Sequence, residues 1–190
     1  MNTLYPIFLK LENIHILMVG AGIVGTEKLS FILKNSPDAK ITIIALHIAD
    51  EIKAYASSNK NIIIQEKKFE PDDVQKHQII IAATNDKTLN KAIYDVAKSK
   101  NILINVADTP DLCDFYLGSI VTKGDLKIAI STNGKSPTLA KRIREMFENI
   151  LPENIDELLQ NLQNYRQQLK GNFEEKVNQL NELTKNFKAD

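Results

Sequence analysis

The stretch His15-Ile16-Leu17-Met18-Val19-Gly20-Ala21-Gly22-Ile23-Val24-Gly25 decides the fold of this chain. The apolar run from His15 to Val19 reads as a strand, and Leu29, Ile32 and Leu33 then share one face of a helix. Between them, Gly20, Gly22 and Gly25 stand at the G-x-G-x-x-G spacing, in the strand–turn–helix setting that gives the spacing meaning. Gly20 permits the tight turn, Gly22 lets the backbone approach a pyrophosphate, and Gly25 lets helix and strand pack closely. Free N–H groups and the positive dipole end of the new helix favour an anion there. A dinucleotide site is expected; the alternative is a purely structural strand-to-helix turn.

The 190 residues suffice for one full domain and an appendage. Basic and acidic residues balance at 24 each, so no global field draws the chain to nucleic acid or anionic lipid. The single cysteine, Cys113, excludes an internal disulfide and suits a reducing compartment. Neither a leader peptide nor an apolar run long enough to span a bilayer is visible, and Met1 to Leu11 reads as an ordered lead-in. A cytoplasmic protein is expected.

Strand-like and helix-like segments alternate through the first half, the pattern of a parallel sheet with crossover helices. Strands are expected at Ile14–Val19, Lys40–Ala45, Asn61–Gln65, Gln78–Ala82 and Ile102–Val106. Helices are expected at Val24–Lys34, Ile48–Ser57 and Lys87–Ser99. Beyond Asp111, Tyr116–Thr122 and Leu126–Ser131 read as a hairpin joined by Lys123-Gly124-Asp125. Ser136 as N-cap and Pro137 at the first helical position start a helix running to about Asn149. After Leu151-Pro152 the chain is helical, with Ile155, Leu158, Leu159, Leu162, Leu169, Phe173, Val177, Leu180, Leu183 and Phe187 as an amphipathic stripe broken near Gly171. The fold class is α/β: a Rossmann-like parallel sheet over 1–112, a small α+β dimerisation segment over 113–150 and a C-terminal helical unit over 151–190.

In an open parallel sheet, ligands lie beyond the carboxyl ends of the strands. The first such end is the glycine turn. The second, Ala45-Leu46-His47, lacks the acid often found there for ribose hydroxyls, which leaves NAD and NADP both open; Leu46 is suited to pack beside adenine, with His47 exposed. At the third, Ala83-Thr84-Asn85-Asp86, Thr84 and Asn85 are candidate cofactor contacts, while Asp86 suits either the cofactor or the N-cap of the next helix. The fourth, Asn105-Val106-Ala107-Asp108-Thr109-Pro110, puts an acid directly past a buried strand, where it can take a proton from a substrate near a nicotinamide; a turn-initiating role before Pro110 is equally compatible. His15 is expected to be a satisfied buried histidine and Cys113 a small buried apolar residue. Cys113 and the three scattered histidines offer no zinc-ligand spacing, so no metal site is expected.

Several stretches resemble the precorrin-2 dehydrogenase family that forms the N-terminal part of siroheme synthases. These are Leu4-Tyr5-Pro6-Ile7-Phe8-Leu9, the glycine turn with Glu27-Lys28 after it, Ala82-Ala83-Thr84-Asn85-Asp86, Asn105-Val106-Ala107-Asp108, Leu112-Cys113-Asp114-Phe115 and Ile130-Ser131-Thr132-Asn133-Gly134-Lys135-Ser136-Pro137. The resemblance runs in order from Leu4 to Pro152. It implies oxidation of precorrin-2 to sirohydrochlorin with NAD⁺ on the route to sirohaem, by a homodimer joined through the middle segment. It places the catalytic aspartate on Asp108 and cofactor contacts on Ile23, Val24, Leu46 and His47, and it favours NAD over NADP. Tyr116-Leu117-Gly118 departs from the family's more apolar pattern, and Thr132 stands where some members carry a serine that can be phosphorylated.

Gly20, Gly22, Gly25, Thr84, Asn85 and Asn105 complete the candidate cofactor set. The substrate carries many carboxylates, and Lys123, Lys127, Lys135, Lys141, Arg142 and Arg144 gather in the second segment, ahead of or along a helix whose N-terminus favours anions. Thr132, Lys135 and Ser136 are the candidate substrate contacts, Lys135 first among them. Two alternatives stand beside the dehydrogenase: a bifunctional enzyme that also inserts iron into sirohydrochlorin, and a non-catalytic dinucleotide-sensing module. The latter usually shows an acid at the end of its second strand and has no need of Asp108.

Overall fold

The computed structural model describes residues 2–185, so Phe187 lies outside the described part. The chain divides into two compact units, Met1–Leu117 and Gly118–Asp190.

The first unit is a five-stranded, wholly parallel sheet in the order β3-β2-β1-β4-β5. Its strands are β1 (His15–Val19), β2 (Lys40–Ala45), β3 (Ile62–Glu66), β4 (Ile79–Ala82) and β5 (Leu103–Val106), and its helices are α1 (Ile23–Asn35), α2 (Asp50–Ser58) and α3 (Lys87–Ser99). These match the expected elements to within two residues at each end. β4 is Ile-Ile-Ile-Ala and buried throughout, because both faces of a parallel sheet are covered by its crossovers. One face packs Ile16, Met18, Ile41 and Ile43 against Leu29, Ile32 and Ile52 of α1 and α2. The other packs Leu17, Val19, Ile80 and Ile104 against Ile93 and Ala97 of α3. Alternate residues of each strand thus feed opposite layers, as the pleat requires.

His15 corrects the expectation of a buried histidine. It is the first residue of β1 and exposed, because burial begins only at Ile16, where the strand enters the layer between helices.

In the second unit, β6 (Ser119–Lys123) and β7 (Leu126–Ile130) form an antiparallel hairpin, followed by α4 (Pro137–Ile150), α5 (Ile155–Gln168) and α6 (Phe173–Thr184). The loop is Gly124-Asp125 alone, with Lys123 paired to Leu126, and Gly124 supplies the positive φ (52°) such a tight turn needs. β6 starts later than expected. Ser119 already pairs with Ile130, where β7 ends, so among the described residues Tyr116–Gly118 have no partner strand. Asp156 Oδ1 accepts from the Asp125 amide at 2.8 Å, tying the hairpin loop to α5. Val121, Ala140 and Ile155 form this unit's small buried centre. The C-terminal stripe is less covered than its periodicity predicts: Ile155 is buried, whereas Phe173 is 79% and Leu183 55% exposed. Among the described residues, no helix is long and apolar enough to cross a membrane.

Candidate active site

β1 pairs with β2 on one side and β4 on the other, so strand order reverses at β1. A crevice therefore opens outside the carboxyl ends of β1 and β4, the position where open α/β sheets hold ligands. Gly20 leaves β1 at φ 104°, and a side chain there would run into the backbone of Ala83 and Thr84 at the end of β4. Gly25 is equally confined, since a Cβ would overlap the carbonyl oxygen of Gly20. Gly22, the N-cap of α1, is different: a Cβ there would meet nothing within 4 Å, and no side chain caps the helix. The first-turn amides of α1 are thus presented to an open approach with the dipole behind them. That arrangement fits a pyrophosphate.

The candidates in this unit surround that mouth in two groups. Ile23 follows Gly22 and is 81% exposed, Val24 is half-buried, and Leu46 past β2 is 63% exposed with His47 exposed beside it. An isoleucine and a leucine held out at strand and helix ends form apolar surface for flat rings. On the other side, Thr84 Oγ1 is within 2.6 Å of Asn90 Oδ1 and bonds the Asp86 carbonyl, so its hydroxyl shapes the β4–α3 turn. Asp86 is the N-cap of α3, accepting from the amides of Thr88 and Leu89 at 2.8 and 3.0 Å. Asn85 is exposed between them.

Asp108 stands two residues past β5, exposed and left-handed at φ 54°. A cysteine holds its turn. Cys113 Sγ donates to the carbonyls of Val106 and Thr109 at 3.2 and 3.3 Å and accepts from the Val106 amide at 3.3 Å. Cys113 is therefore half-buried and hydrogen-bonded to backbone, which corrects the expectation of simple apolar packing. Burial pushes its thiol up, against the opposing pull of the Val106 hydrogen bond and of Lys28. Asn105, in β5, is 5% exposed; its Nδ2 donates to the Phe115 carbonyl at 2.8 Å and its Oδ1 accepts from Lys28 Nζ at 3.1 Å. Burial lowers the Lys28 ammonium from its ordinary value, while Cys113, Asp108 and Glu27 pull it back up. Lys28 carried no role in the sequence reading. The signal was present all the same, since Gly25, Lys28, Leu29 and Ile32 fall on one face of α1 at spacings of three and four.

The candidates of the second unit lie in the loop between β7 and α4. Thr132 Oγ1 and the Ser136 backbone bond reciprocally at 3.1 Å, and Ser136 Oγ caps α4 by accepting from the Leu139 amide. Asn133 (φ 55°) and Gly134 (φ 73°) turn the loop left-handed, which leaves Lys135 exposed at its tip. Of the other cations, Lys123 is engaged by the Leu151 carbonyl and Glu153 at 2.6 and 2.7 Å, Arg142 by Glu145 and Arg144 by Glu148.

Residues 7–119, more than half of the chain, match the family described as putative NAD(P)-binding, and residues 123–150 match the central region of sirohaem biosynthesis proteins. The chain belongs to this family of putative NAD(P)-binding proteins. It is 40% identical over 168 residues to the siroheme synthase of Vesicomyosocius okutanii, a match covering 88% of this chain and 35% of that protein. With the siroheme synthase of Psychrobacter cryohalolentis it shares 40% over 158 residues, 83% of this chain and 29% of that one. The chain spans about a third of the length of these curated relatives. Among solved structures, "SirC, precorrin-2 dehydrogenase" is similar at a TM-score of 0.74 and 28% identity, over 95% of this chain and 89% of that one. The family and the similar fold support a nicotinamide dinucleotide as cofactor, and the parallel sheet, hairpin and C-terminal helices are those of this fold.

Proposed function

We propose that the chain is a precorrin-2 dehydrogenase that oxidises precorrin-2 to sirohydrochlorin with NAD⁺. The observation that carries this reading is the likeness to a precorrin-2 dehydrogenase across nearly the whole of both chains, with Asp108 held past β5 at the same carboxyl end of the sheet as the glycine turn. The conversion removes a hydride and a proton and extends conjugation around the tetrapyrrole. When bound, the dinucleotide supplies the hydride acceptor. The chain's own residues do the rest. Gly20, Gly22 and Gly25 shape the anion mouth, Ile23, Val24, Leu46 and His47 border the cofactor, and Thr84, Asn85 and Asn105 set the turns opposite. Asp108 takes the proton, a carboxylate exposed enough to pass it to water. Lys135, with the Thr132–Ser136 loop behind it, holds substrate carboxylates.

NAD⁺ rather than NADP⁺ is the reading for the cofactor, because the exposed end of β2 is Leu46-His47, with no acid or arginine there, and Lys67, the first of two lysines past β3, is engaged by Asp73 at 2.6 Å. The protein works as a cytoplasmic homodimer paired through residues 113–150. Purified protein incubated anaerobically with precorrin-2 and either dinucleotide tests the proposal: the sirohydrochlorin spectrum develops with NAD⁺. Unchanged precorrin-2 with both dinucleotides would contradict it.

A further inference from the structure

Lys28 links two parts of the site that the chain otherwise keeps separate. It lies six residues past Gly22, about 9 Å along the same helix at 1.5 Å per residue, and so moves rigidly with the anion mouth. Its Nζ donates at 3.1 Å to Asn105 Oδ1 on β5. Asn105 stands opposite Ile81 in the sheet, on the face where its neighbours are apolar, and is nearly fully buried. A polar side chain there is costly unless its groups are paired, and it is paired at both ends: with Lys28 and with the Phe115 carbonyl. Three residues on, the left-handed turn at Asp108 is clasped by the Cys113 thiol, which also accepts from Asn105 Nδ2 at 3.4 Å. The charged or titratable groups acting on the Lys28 ammonium are Cys113 and Asp108 from the chain that follows β5 and Glu27 from its own helix.

We propose that Lys28 is a positioning residue: its ammonium, anchored on Asn105, locks the Asp108 turn to the helix that carries the cofactor mouth. This rests on the reading of Asp108 as the proton acceptor in precorrin-2 oxidation. A displacement of about 1 Å between reacting groups costs on the order of a hundredfold in rate, so such a lock acts on turnover rather than on binding. Burial also brings the ammonium's loss to lower pH than for an ordinary lysine, which gives the lock a signature in the pH profile.

Lys28→Met is expected to lower kcat at least tenfold with the NAD⁺ dissociation constant close to wild type, while the orphaned Asn105 Oδ1 lowers Tm. Lys28→Arg should restore most of kcat and abolish the fall in rate expected of the wild type on the basic side. A wild-type kcat in Lys28→Met, a loss of kcat together with NAD⁺ affinity, or an arginine variant no better than the methionine one would overturn the proposal. A second measurement needs no turnover: by NMR of ¹³C-labelled lysine, Asp108→Asn should move the Lys28 titration to lower pH, and an unmoved titration would refute the coupling of the lysine to the Asp108 turn. If the wild type fails to oxidise precorrin-2, the functional reading falls while this titration still decides the Lys28–Asp108 coupling.

Discussion

Gly22 and Gly25 stand three residues apart and are confined in opposite ways: a methyl group on Gly25 would overlap the Gly20 carbonyl oxygen, while one on Gly22 would meet no atom within 4 Å. One glycine serves packing, the other serves the ligand. Gly25→Ala should therefore destabilise the protein by about 2 kcal/mol, as overpacking against backbone does. Gly22→Ala should leave Tm nearly unchanged and weaken NAD⁺ binding about tenfold, or roughly 1.4 kcal/mol. Thermal unfolding and calorimetric titration of both variants separate the two effects, and equal losses of stability would refute the distinction.

Asp108→Asn keeps the size of the side chain and removes its capacity to accept a proton. Its kcat should drop on the order of a hundredfold or more, the usual contribution of a positioned base, with NAD⁺ affinity nearly unchanged. Steady-state kinetics with precorrin-2 as the varied substrate checks this, and an unaltered rate removes Asp108 from the reaction.

Lys135 projects from a loop whose other polar groups are already engaged with one another. Lys135→Ala should raise KM for precorrin-2 roughly fivefold, equivalent to about 1 kcal/mol for one exposed charge pair, and leave Tm and NAD⁺ binding as they were. A constant KM would move substrate recognition elsewhere.

Outside the site, His77 gives stability a pH dependence. Burial lowers its imidazole from the ordinary value of 6.5, while its Nδ1 lies 2.9 Å from the Asp73 carbonyl oxygen. The unfolded chain then binds the proton more readily than the folded one, so stability is lost as pH falls through 6.5 and below. Wild-type Tm should accordingly fall further than that of His77→Gln between about pH 7.5 and 5.5. Parallel curves would contradict the assignment.

Local patterns made the parallel sheet legible in advance. The glycine turn, the all-apolar β4 and the Ser136-Pro137 helix start each carry their structural meaning in a few adjacent residues, and each stands where it was expected. Features set by distant contacts were hidden. His15 looked buried because it opens an apolar strand, but nothing in the sequence says where the covering helices begin. Cys113 looked apolar because its partners, the backbone groups of Val106 and Thr109, have no side-chain signature. Asn105 was legible as a residue near the mouth but not as the bridge between Lys28 and Phe115, since that bridge spans 77 positions of chain on one side. The C-terminal stripe was legible as helix, yet its period fixes only which face is apolar, and Phe173 and Leu183 remain largely exposed.

The most direct measurement is a single anaerobic turnover in which NADH formation and sirohydrochlorin formation are followed together. Equal amounts of the two, rising at the same rate and slowed alike in Asp108→Asn, are the predicted result. Sirohydrochlorin appearing without NADH, or neither product from pure wild-type protein with both substrates present, would contradict the claim that hydride passes from the tetrapyrrole to a nicotinamide seated at the three glycines.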